Sequence, residues 1–402
     1  QLSFFQIFQY NYSSIIFIID DNIEEWMSSG IPSSITYKML QDIYVNSTHQ
    51  LEIESILGDY NKSISDIISF SLQREISKKE NKQFFLNGSI SYNNDVFTIK
   101  TKLYNTNSSK IVVEKIFESE DIYELIDNLS FAIRSDIGIP EKHLNENIDL
   151  PAIEVLPNSI EALKYYGQGM IKRGDAANAI PYFEKAVEID ETCVMCYFML
   201  QDAYVMNNQG DKRLATIEKA LEYDYKLPER LKFLPKIMFY WETQQPEKMT
   251  KVAEMQIQLY PENLIGYEVL AELYRNKSEH LKVVEQYEAI LKQFEGKLKD
   301  NKDIANYLLR IADIYLYRVG DYPATKKMVD KYLYYYPESS WAYGILAKMF
   351  SYQGNTSKAI EMYETALTFD RTNINNMIDL EWIREGGINR IKNIILTFLS
   401  II

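Results

Sequence analysis

The residues with the most chemical potential are few and scattered. Cys193 and Cys196 form a C-x-x-C spacing, which suits a redox pair or half of a zinc site; no second pair completes a tetrahedral set. Two buried small residues packing inside a helix are expected, with a redox pair as the alternative. Asp20 and Asp21 close an apolar run, SIIFII. Paired carboxylates at a strand end hold Mg²⁺ only beside a third acidic residue, and HQLEIESILGDY supplies no match. They are expected as a solvated strand end. His49, His143 and His280 stand alone, and Gly169 and Gly174 have phosphate-loop spacing but are followed by Asp175 instead of Lys. No G-x-S-x-G or H-E-x-x-H occurs. The expectation is therefore a protein that is not an enzyme, with no catalytic residues, no cofactor and no metal.

Charge excludes a second class. The chain of 402 residues carries a net charge of −14, so a nucleic-acid backbone is repelled unless a basic stripe intervenes. Lys78-Lys79 and Lys326-Lys327 are the short basic pairs considered, and each reads as a solvated helix face. No run of about 20 apolar residues appears, so no membrane span is expected. The sequence opens on Gln1 instead of Met, from which the reading expects a processed or truncated chain.

The elements that must position any functional residue recur with a period of about 34 residues. Ala186 and Ala220 are equivalent, as are Gly320 and Gly354, each pair 34 apart. The first unit carries Leu163, Tyr166, Gly167, Met170, Ala179, Phe183 and Ala186; the sixth carries Tyr343, Leu346, Ala347, Phe350, Ala359, Tyr363 and Ala366. Small residues at fixed places let two antiparallel helices approach, and large apolar ones fill the space to the next pair. Six such units predict an all-α superhelical solenoid over 159–385, and 386–402 is expected as a capping segment.

Ahead of the repeats the composition shifts: residues 1–150 hold a net −10 of the −14. A mixed α/β order is expected over 1–140. A strand at 14–19 precedes a helix at 31–44 behind Gly30 and Pro32, a strand at 49–57 and a helix at 63–79. A three-strand meander follows at 83–92, 95–104 and 110–117, with its first turn at Asn93-Asn94, then a helix at 121–137 ending at Gly138. Residues 141–158 are polar, contain Pro151 and Pro157, and read as a linker.

The repeat units resemble the tetratricopeptide (TPR) pattern W-x₂-L-G-x₂-Y…A-x₃-F…P. The segments SSIIFIID, IEEWMSSGIPSSITYKML, KQFFLNGSISYNNDVFTIKTKLYNTNSSKIVVEKIFES and EDIYELIDNLSFAIRSDIG resemble the TolB amino-terminal-like, or FlgO-like, domain. That resemblance implies a non-catalytic sensory or assembly domain, with a small-residue turn at Ser28-Ser29-Gly30. Together the two imply a protein-interaction scaffold in a bacterial envelope or signalling assembly. The alternative is the sensory or regulatory part of a larger signalling enzyme or transcription regulator whose output domain is absent. A periplasmic or envelope location is favoured over a cytoplasmic one.

A TPR array implies a protein or peptide partner on the face formed by its first helices. The candidate contacts there are Tyr165, Gln168, Tyr197, Gln201, Tyr267, Glu268, Tyr307, Arg310 and Tyr343. Tyrosine, with 31 residues, is the abundant type, and aromatic anchors in a polar rim concentrate binding energy. The carboxylate clamp of some TPR proteins is not expected, because Gln168 stands where that motif needs Asn.

Overall fold

The computed structural model describes residues 10–19, 24–42, 45–47, 56–58, 60–62, 68–79, 82–146, 149–261, 263–296, 298–299 and 302–384. The chain divides into two compact units, residues 1–249 and 250–402.

The first unit opens with a five-stranded sheet in the order β2-β1-β3-β4-β5. Its strands are β1 (Tyr10–Ile19), β2 (Val45–Ser47), β3 (Phe84–Asn93), β4 (Val96–Asn105) and β5 (Ile111–Ser119). β1 runs parallel to both β2 and β3, while β3, β4 and β5 form the expected antiparallel meander. The first meander turn lies one residue later than expected, at Asn94-Asp95, because Asn93 pairs with Val96. Both turn residues have positive φ, 50° and 64°, the conformation that two-residue hairpins require and that Asn and Asp tolerate. Phe85, Leu86, Ile90, Phe97, Ile99 and Leu103 are buried, and α3 (Ile122–Asp136) packs on this sheet with Asp121 capping its start.

Helix α1 (Met27–Met39) departs most from expectation. It begins four residues before the expected start and ends at Met39, so Ser28-Ser29-Gly30 is its first turn and a half, not a loop. Every one of its residues is buried. The reason lies in α6 (Ile160–Lys172), the first helix of the repeats. A Cβ on Gly30 would fall 3.2 Å from the Cα of Gly167, and one on Gly167 would fall 2.7 Å from the Trp26 carbonyl oxygen. Two glycines thus let the backbones touch, and the helix is paid for by tertiary packing in spite of Pro32.

Burying a whole helix requires partners for its polar groups. Ser33 Oγ and the Tyr166 hydroxyl are 2.9 Å apart, and Ser34 Oγ donates to the Gly30 carbonyl at 2.6 Å. Lys38 pairs with Asp127 at 2.9 Å and also donates to the Leu150 carbonyl. The segment 141–158 is held by the same groups. It contains α4 (Glu141–Glu146) and α5 (Ala152–Val155), and it buries Leu144, Ala152, Val155 and Leu156. Gln41 exchanges two hydrogen bonds with the Leu150 backbone, and Arg134 reaches Asp149 at 2.5 Å and Asp42 at 3.5 Å. This stretch, expected as a linker, is a structured connector. Asp149 and the Leu150 backbone serve buried polar groups, while Glu141, Lys142, Glu146 and Glu154 face solvent.

The helices beyond it come in pairs at the expected intervals. In the first unit these are α6 with α7 (Ala176–Ile189), and α8 (Val194–Met206) with α9 (Arg213–Glu222). α10 (Phe233–Glu242) belongs to the first unit, and α11 (Pro246–Leu259) runs through the division at Met249. The second unit holds α12 (Leu264–Asn276) with α13 (His280–Gln293), α14 (Lys302–Ile314) with α15 (Tyr322–Tyr335), and α16 (Ser340–Tyr352) with α17 (Thr356–Phe369). α18 (Ile374–Arg384) follows. Side-chain caps recur at equivalent starts: Ser159 and Ser339 on first helices, Asp175, Asp321 and Asn355 on second ones. Gly320 and Gly354 supply left-handed turns at φ 77° and 76° between the helices of their pairs.

Asp20-Asp21 and the segment 386–402 lie outside the described residues. So does the expected strand 49–57, except that residues 56–58 form a helical turn. Of the expected helix 63–79, α2 (Phe70–Lys79) is described.

The glycine contact gives a direct test. Gly167→Ala should lower the urea midpoint by an amount equivalent to roughly 1–3 kcal/mol, because a backbone carbonyl must move to admit the methyl group. Gly174→Ala, with nothing within 4 Å of the added carbon, should leave it unchanged or higher. Equal midpoints for the two variants would contradict the close approach.

Candidate functional site

Helix α8, VMCYFMLQDAYVM, is apolar on nearly every side, and a helix of that kind must be covered all round. Tyr197 and Gln201, expected as partner contacts, are 7% and 4% exposed. Burial pushes the Tyr197 phenol up to about 12, with Lys219 opposing. Cys193 and Cys196 at the helix start are both buried, but they are bonded to each other. The expectation of two separate packing cysteines is corrected: the first turn of α8 brings their Cα atoms to 5.3 Å, within disulfide reach. Cys193 Sγ also accepts the Cys196 N–H and caps the helix.

Gln201 belongs to a polar chain. Its amide donates to Asp202, its carbonyl oxygen accepts from Arg213 Nε at 2.9 Å, and Arg213 in turn pairs with Glu242. Burial pushes the Asp202 carboxyl upward, opposed by Arg173 and Arg213. The chain edges a cavity of about 500 Å³ that reaches back to Tyr37 of α1 and to Leu40 just beyond it. Nothing local in the sequence marks this site, since its residues come from elements spread between Tyr37 and Met238.

In the second unit, three expected residues meet across α12 and α14. The Tyr307 hydroxyl donates to Glu268, Arg310 Nη1 lies 3.2 Å from the same carboxylate, and the guanidinium sits 4.9 Å above the Tyr307 ring. Burial first, and then the Glu268 carboxylate, raises the Tyr307 phenol well above its ordinary range. Glu268 and Arg310 remain 41% and 48% exposed, so their pair contributes about 1 kcal/mol or less. Tyr267 is buried, and its hydroxyl accepts from Gln293. Tyr343 is half-buried and stacks on Phe369 with ring centres 5.7 Å apart. Tyr165 and Gln168 are half-buried on α6.

Asp313 of α14 carries no mark in the sequence. Burial pushes its carboxyl up to about 6, and a hydrogen bond from the Trp341 side chain opposes the shift. A carboxyl of that strength suits a general base. The phenol that feels its charge, Tyr317, is raised by partial desolvation and then by Asp313, although 49% of the residue is exposed, so the pair has no activated nucleophile. Among the described residues, no group of three or more His, Cys, Asp or Glu is placed to hold a metal ion.

No protein-family model and no curated protein matches the chain. Solved structures with partial likeness include the Cut9–Hcn1 hetero-tetramer of the APC/C, at 15% identity and TM-score 0.41 over 65% of this chain and 49% of that one. Yeast Tom70 matches at 18% identity and TM-score 0.43, over 67% and 55%. Pseudomonas aeruginosa pilF matches at 17% identity and TM-score 0.38, over 54% and 95%. The chain thus spans about half the length of the first two. Likeness of this extent carries no functional argument.

Asp313 sets a pH dependence. Its folded-state pKa lies above the ordinary carboxylate value, so the folded chain binds the proton more tightly than the unfolded one between about pH 4 and 6. Stability from this group is full below about pH 4 and is lost as pH rises to about 6. Asp313→Asn should therefore stabilise the protein at pH 7 by on the order of 1–3 kcal/mol and flatten the pH 4–6 slope of its urea midpoint. An unchanged slope would show that Asp313 is solvated.

Proposed function

We propose that the chain is a non-catalytic protein-interaction scaffold: a TPR array preceded by a TolB amino-terminal-like/FlgO-like α/β domain. It binds a protein or peptide partner on the face of the first helices, within a bacterial envelope or signalling assembly. The module boundaries are 1–140, a connector over 141–158, and repeats over 159–385. The observation that carries this reading is the Glu268–Tyr307–Arg310 cluster. Two successive first helices place a carboxylate, a guanidinium and an aromatic ring together at a half-exposed surface. Such a group offers an incoming segment an ionic partner of either sign beside a stacking surface. The recurring caps and small residues support a stack of equivalent helix pairs. No helix among the described residues is long and apolar enough to cross a membrane.

Tyr165, Gln168, Glu268, Arg310 and Tyr343 are the surface residues of this proposal. Tyr197 in the first unit and Tyr267 and Tyr307 in the second are each less than one-tenth exposed and support their own helices from within. A photoreactive amino acid at position 310 or 343 should crosslink a protein partner in the source cells. The same group at Lys326, on the exposed side of the second helix α15, should give several-fold less adduct. Equal labelling from 326, or none from 310 and 343, would contradict the proposed face.

A further inference from the structure

The cavity of the first unit has the attributes of a small-molecule site. Its volume is about 500 Å³, inside the roughly 300–1,000 Å³ range of ligand pockets. Leu40 just after α1, Met195, Phe198 and Met199 of α8, and Leu234 and Met238 of α10 give it an apolar wall. Three of these are methionines, whose unbranched thioether chains adapt to an irregular occupant.

Its polar groups fall into two kinds. At one side, Asp202, Gln201 and Arg213 satisfy one another, with Arg213 also reaching Glu242 outside the lining, and the Tyr166 hydroxyl is paired with Ser33. Each charge in that chain has a partner, so nothing there calls for an ionic ligand. Tyr37 differs. It lines the cavity and is only 6% exposed, yet its hydroxyl has no hydrogen-bond partner among the described residues. Burial, reinforced by Tyr166, keeps that phenol protonated far above its ordinary range. A buried hydroxyl without a partner costs stability unless something else accepts its proton.

We propose that this cavity binds a neutral, mainly apolar small molecule bearing a carbonyl oxygen, which accepts a hydrogen bond from the Tyr37 hydroxyl while its hydrocarbon body lies against the methionine-rich wall. A carboxylate would bring a net charge into an apolar space whose cation is already committed to Glu242. An ammonium group would bring donors and no acceptor. The carbonyl compound matches both the missing acceptor and the compensated charges. Because Tyr37 belongs to α1 and Leu40 directly follows it, while the facing wall belongs to α8 and α10, the occupant bridges the α/β part to the first repeats.

The test uses the full chain and the neutral naphthyl ketone 6-propionyl-2-(dimethylamino)naphthalene, whose emission moves to the blue in apolar surroundings. Saturable one-to-one binding with blue-shifted emission is expected. Tyr37→Phe should melt no earlier than the parent, since the hydroxyl it loses has no partner, and should bind the ketone roughly two- to tenfold more weakly. A naphthalene analogue lacking the ketone should bind both proteins equally. Met199→Trp, checked for folding by circular dichroism, should abolish binding by filling the space. Absence of saturable binding to the parent overturns the proposal, and so does an unchanged ketone affinity in Tyr37→Phe, whatever the tryptophan variant does.

Discussion

The close approach of Gly30 to Gly167 is the constraint on which the first unit rests. It seats a helix from the α/β part against the opening helix of the repeats without an intervening side chain. Once that contact is made, α1 is buried along its whole length and packs against the sheet, α3 and α6. Its serines and its lysine then need partners, and the partners fix everything nearby. Ser33 meets Tyr166, Lys38 meets Asp127 and the Leu150 carbonyl, and the connector is drawn in. The cavity beyond Tyr37 exists only because α1 lies there.

The buried charges refine this picture more than they stabilise it. Lys38, Asp42 and Arg134 are 5% exposed or less, and taking such groups out of water costs about as much as their pairing returns. Loss of one partner is another matter, at about 3–5 kcal/mol, because a charge is then left buried alone. The network thus selects one seating of connector and helix over alternatives. Apolar packing of Ile31, Ile35 and Met39 supplies the drive.

The helix pairs were legible in the sequence because the information is local and repeated. Ala179, Phe183 and Ala186 find their counterparts in Ala359, Tyr363 and Ala366, and all six are fully buried. The meander was legible to within one residue, since Asn93, Asn94 and Asp95 all favour turns and only the pairing of Asn93 with Val96 decides among them. Gly30 was misread for a physical reason. Ser-Ser-Gly-Ile-Pro has turn chemistry by itself, and only a glycine 137 positions later makes it helical. Tyrosines at helical spacing look alike whether they face a groove or a neighbour; Tyr197 and Tyr267 prove buried, while Tyr165 and Tyr343 keep an open edge. The cavity was illegible, because Tyr37, Met199, Arg213 and Met238 share no motif and meet only in three dimensions.

Amide hydrogen exchange tests the seating of α1 most directly, since a helix held on all sides opens only with the unit around it. Amides of Ile31–Met39, Pro32 aside, should exchange as slowly as those in the middle of α6, and Gly167→Ala should release both together. Rapid exchange across α1 while α6 stays protected would show that the helix is not docked, and would contradict the arrangement from which the connector and the cavity follow.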